Sequence, residues 1–202
     1  HDRQLEELFR LAWHPLGPSQ GQPITATSEV FVPGVFGDVF DVIYAYPDAA
    51  RWTSIASYPV VVVAGEIALT ATEGQRLADY LAGGGTVLLS SGQLSGPGLA
   101  ALPLPAMGEV MEADAYQWLT MAPQAAPRFR CRPIVPGPGD RALAMLPTGE
   151  VIVSAREVGQ GRLITMSIPY GLGIAGQASP LWAWLLAHLR SGLMPVEVAG
   201  AV

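Results

Sequence analysis

YPVVVVAGEIALTATEGQRLADYLAGGGTVLLSS, residues 58–91, decides the fold. Its four consecutive valines, Val60–Val63, form a short β-branched run between Pro59 and Gly65. Such a run reads as a strand covered on both faces, the situation inside a parallel sheet. Thr70 then stands three residues before Glu73. That is capping-box spacing, in which each side chain satisfies a backbone amide near the other at a helix start. Leu77, Tyr80 and Leu81 make one apolar helical stripe, and Gly83-Gly84-Gly85 ends it. Glycine closes helices because it accepts the left-handed C-cap conformation. The strand Thr86–Ser90 follows at once. The stretch is a strand–helix–strand unit, for which a right-handed crossover is expected.

Working outward, Leu5, Leu8, Phe9, Leu11 and Ala12 recur at helical spacing and predict an amphipathic helix over about 2–13, stopped by Pro15. Residues 14–29 read as a loop, and Val39–Tyr44 as a second, mostly buried strand. Residues 93–149, dense in Gly and Pro, read as an irregular insertion. Within them a short helix near Leu99–Leu102 and another element near Ala115–Met121 are plausible. Glu150–Glu157 and Gly161–Ile168 flank Val158-Gly159-Gln160-Gly161, a hairpin signal. Pro180–Leu193 is apolar at Leu181, Trp184, Leu185, Ala187 and Leu189, and reads as a buried closing helix.

Composition narrows the function classes. The chain has 202 residues, 50% hydrophobic and 14% charged, which suits one domain with a large core. No apolar stretch approaches the ~18 residues of a membrane span. The net charge of −6 argues against a nucleic-acid binder. All 11 positive residues are Arg, so a Schiff-base or P-loop lysine is excluded. The single cysteine, Cys131, excludes an internal disulfide and a cysteine-rich metal site, but does not fix the compartment. The chain opens HDRQLEELFR and ends GLMPVEVAGAV, and is read as a single domain over 1–202 within a longer polypeptide.

The element order, with DVFDVIYAY (38–46), the 58–91 stretch and VGQGRLITMSIPYGLG (158–173), resembles the class I glutamine-amidotransferase-like superfamily. The phrases L-x-x-Y-L-x-x-G-G-T-V-L and G-Q-G-R-L-I-T carry the resemblance, over about residues 36–92 and 150–192. It is nearest to members without amidotransferase activity. These include the trimerisation-associated middle domain of bacterial β-galactosidases and the trehalose-utilisation-like group. The resemblance implies a flavodoxin-like three-layer α/β sandwich with a mainly parallel sheet and an antiparallel hairpin near one edge. Catalytic relatives carry a Cys in the turn after the strand matching Thr86–Ser90, and a His with a nearby Glu after a later strand. Here those places read Ser90-Ser91-Gly92-Gln93 and Pro169-Tyr170-Gly171-Leu172, so the resemblance implies geometry without thiol chemistry.

Other candidates are weighed on residue chemistry. A serine nucleophile at Ser91 needs a histidine, His14 or His188, and Ser-Ser-Gly-Gln is not G-x-S-x-G. Asp38 and Asp41 show no spacing that sets two carboxylates across a cleft. Glu109, Glu112 and Asp114 read as a solvated acidic turn rather than a cation site. The three glycines enter a strand, whereas phosphate loops leave one for a helix N-terminus. Arg128, Arg130 and Arg132 share one side of an extended segment, and pairing with surface acids is preferred over anion binding. Trp52 and Trp118 lie in loop-like contexts where rings stack on sugars, against a core or interface role.

The expected function is a non-catalytic accessory or oligomerisation domain of a larger, carbohydrate-related bacterial protein, without cofactor or metal. Its partners would be neighbouring domains, further copies of the chain, or a carbohydrate. Ligand-binding candidates are Glu66, Ser90, Ser91, Gln93 and Tyr170 at the strand C-termini, with Trp52 and Trp118. The rival readings are a carbohydrate-binding module using that crevice, and a hydrolase rearranged around Ser91 or Asp38.

Overall fold

The computed structural model describes residues 55–63, 67–119 and 121–168, together with Leu185 and Leu189. The expected helix over 2–13, the loop over 14–29 and the strand Val39–Tyr44 lie outside the described residues. Of the expected closing helix, Leu185 and Leu189 are described; both are helical and buried.

The strands in chain order are β1 (Val60–Val63), β2 (Ile67–Ala68), β3 (Thr86–Ser90), β4 (Leu94–Ser95), β5 (Ala106–Met107) and β6 (Met111–Trp118). There follow β7 (Gln124–Cys131), β8 (Ile134–Val135), β9 (Asp140–Met145), β10 (Val151–Val158) and β11 (Gly161–Met166). The α-helix α1 (Ala71–Ala82) leads into β3.

The helix forms as its sequence requires. The Thr70 amide donates to Glu73 Oε2 at 2.7 Å and the Glu73 amide donates to Thr70 Oγ1 at 3.3 Å. This completed capping box contributes about 1 kcal/mol. Gly83 caps the other end, and Gly84 takes a φ of +104°, which only glycine adopts without strain.

Among the described residues the main sheet has nine strands, with the path β1-β3-β11-β10-β9-β6-β7; β8 pairs with β10, and β5 with β8. β3 is flanked in parallel by β1 and β11, with Val60 opposite Thr86 and Thr86 opposite Arg162. From β11 onward every pairing is antiparallel. The sheet is therefore mixed, not mainly parallel. The β10–β11 hairpin turns through Gly159-Gln160, as its sequence signalled, but it lies in the sheet interior rather than near an edge.

Both differences have one cause. Residues 93–149 are not an irregular insertion: they supply β4 to β9, and three of these continue the sheet beyond β10. Two short 3-10 helices, Ser91–Gln93 and Pro97–Ala101, flank β4. Pro127 falls within β7, where Ala113 pairs with Phe129 but Ala115 pairs with Ala125. A residue lacking an N–H is tolerated at such a bulge, and on a strand whose other edge is unpaired among the described residues.

The sheet is apolar on both faces. Val61, Val63, Val87, Leu89 and Leu163 pack with Leu77, Tyr80 and Leu81 of α1. On the other face Leu88, Ile164, Met166, Ile152 and Val153 pack with Tyr116, Trp118, Phe129, Leu185 and Leu189. Each fully buried Leu or Val contributes about 2 kcal/mol of transfer free energy. Asp140 and Arg156 clip β9 to β10 through two hydrogen bonds of 2.8 and 2.7 Å, with the Asp140 side chain 1% exposed.

The start of α1 meets the Pro97–Ala101 turn backbone to backbone. A Cβ on Gly74 would stand 2.0 Å from the Gly98 carbonyl oxygen, so the two segments would have to separate. Gly92, by contrast, has nothing within 4 Å of a Cβ and no positive φ. Gly74→Ala is expected to cost about 2 kcal/mol or more in urea denaturation, and Gly92→Ala less than about 0.5 kcal/mol. Equal losses in the two variants would contradict this packing.

Candidate functional site

The parallel strands β1, β3 and β11 end on one edge of the sheet, the edge where α/β folds commonly bind ligands. Ser90, the last residue of β3, is 1% exposed and donates from its Oγ to the Ile168 carbonyl at 2.8 Å. Ser91 opens the following turn. Its Oγ lies 3.3 Å from Met107 Sδ and 3.4 Å from the Met166 carbonyl oxygen. Gln93 closes the turn, half-buried. The structure thus brings Ser90, Ser91 and Gln93 together, as expected for one loop.

It also gives the two serines hydrogen bonds within the protein. Ser90 is sealed in the sheet, and both serines are engaged with the β11 end of the chain. Neither hydroxyl is bonded to a His, Asp or Glu among the described residues. A serine without an adjacent base stays a weak nucleophile. Glu66, Tyr170 and Trp52 lie outside the described residues, as do His1, His14, His188, Asp38 and Asp41.

Trp118 is not in a loop. It ends β6, is 8% exposed, and belongs to the core beneath β9 and β10. Burial on that scale leaves no ring face open to a sugar, which corrects its reading as a stacking platform. The misreading arose because β6, MEADAYQW, mixes charged and small residues and gives little apolar periodicity.

Cys131 ends β7, 3% exposed, far from the Ser90–Gln93 turn in the strand order. Burial, reinforced by the negative charge of Glu150, pushes its thiol up to about 11. A thiol so disposed is a packing group rather than a nucleophile. Arg128 and Arg130 both pair with Glu112 across the β6–β7 hairpin, and Arg132 donates to the Gly108 carbonyl at 3.1 Å. Arg128 and Arg130 are thus paired surface charge, and Arg132 is held by a backbone carbonyl. Among the described residues no group of three or more His, Cys, Asp or Glu could hold a metal ion. No described helix is long and apolar enough to cross a membrane.

Two features escaped the sequence. Ser167 follows β11, is 2% exposed, and its Oγ has no hydrogen-bond partner among the described residues. The parallel placement of β11 beside β3 sets it one residue past the Met166–Ser90 pair. At the opposite edge of the sheet, Tyr58, Arg76, Asp79, Tyr80 and Gly83–Gly85 line an open groove of about 470 Å³. The spacing of Arg76 and Asp79, three apart on the polar side of α1, was the available signal for it.

No family model matches the chain, and no curated protein does. Solved structures match it in fold. A β-galactosidase from Rahnella sp. R3 aligns with a TM-score of 0.51 at 13% identity, over 70% of this chain and 24% of that one. A β-galactosidase from the haloarchaeon Halorubrum lacusprofundi gives 0.51 at 16% identity, over 69% of this chain and 23% of that one. A cytoplasmic protein from Salmonella typhimurium gives 0.51 at 12% identity, over 73% of this chain and 76% of that one. What is shared at such identities is the fold: an α/β unit of the kind found as a segment of β-galactosidases. This chain spans about a quarter of each β-galactosidase it matches.

The two buried serines make opposite predictions. Ser90→Ala removes a satisfied buried hydrogen bond and is expected to cost about 1 to 2 kcal/mol. Ser167→Ala removes a hydroxyl unpaired among the described residues, and is expected to be neutral or stabilising by up to about 1 kcal/mol. Thermal melts of the two variants check the pair. A large loss in Ser167→Ala would show that its hydroxyl has a partner.

Proposed function

We propose that this chain is a non-catalytic accessory or oligomerisation domain of a larger, carbohydrate-related bacterial protein. In this reading it keeps the geometry of an amidotransferase-like, flavodoxin-like sandwich without the chemistry. The observation that carries the reading is the state of the Ser90–Gln93 turn. On the amidotransferase-like reading it would match the turn that holds a thiol in catalytic members, and here Ser90 is buried and hydrogen-bonded to the Ile168 carbonyl. The fold shared with a quarter-length segment of β-galactosidases supports a role inside a larger carbohydrate-active protein. The domain would act by burying apolar surface against a neighbouring domain or another copy of the chain. Its low charge and half-hydrophobic composition suit that role.

The test combines assembly with turnover. Sedimentation of the chain at micromolar concentration is expected to show a dimer or larger species. Incubation with nitrophenyl β-galactoside is expected to release no more nitrophenol than buffer. A monomer at all concentrations would remove the oligomerisation role. Hydrolysis that disappears in Ser91→Ala would overturn the non-catalytic reading.

A further inference from the structure

We draw no further inference here: the strongest candidate, the exposed apolar side chains of Val110 and Leu119 beside the two ends of β6 and of Val135 in β8, carries nothing, because nothing in the structure shows what covers them.

Discussion

The approach of Gly161 to the end of α1 is the constraint from which the rest of the structure follows. A Cβ at Gly161 would stand 2.3 Å from the carbonyl oxygens of both Gly85 and Leu81. The next amide, of Arg162, donates to the Gly85 carbonyl at 3.0 Å. Together these pin the first residues of β11 against the entry to β3. The pairing of Arg162 with Thr86 then sets the parallel register as far as Met166 and Ser90. A one-residue slip would turn each buried side chain to the opposite face, so the register also fixes which residues enter each core. β10 inherits its place from β11, and β9, β6 and β7 inherit theirs from β10.

The same register accounts for the character of the Ser90–Gln93 turn. With β11 locked beside β3, Ile168 comes within reach of Ser90 and Met166 within reach of Ser91. The hydroxyls that invite a nucleophile reading are used to tie two chain segments together. An open groove lies at the opposite edge, lined by Arg76, Asp79 and Gly83 among others. Fold and opening are thus set at the same glycine-rich corner of α1.

Legibility followed local signal strength. The capping box, the Leu77–Leu81 stripe and the two-residue hairpin turn are short-range patterns, and each stands where residue spacing put it. The 93–149 stretch hid its strands because they are held by partners rather than by their own composition. β6 interleaves Glu112 and Asp114 with alanines, and β7 carries a proline. Both become strands because β9 and β10 offer a sheet to extend, a tertiary effect that outweighs weak local propensity. Trp118 was misplaced for the same reason. Ser90, Ser91 and Gln93 were correctly grouped from sequence, whereas their partners Met107, Met166 and Ile168 were not, since those contacts span 16 to 78 residues.

Amide hydrogen exchange of the chain and of Gly161→Ala tests the central constraint most directly. The account predicts that amides of β3, β11, β10 and β9 are the slowest to exchange. It also predicts that Gly161→Ala lowers their protection together, because one contact sets the register of all four. Loss confined to the β10–β11 turn, with β3 and β9 as protected as before, would contradict it.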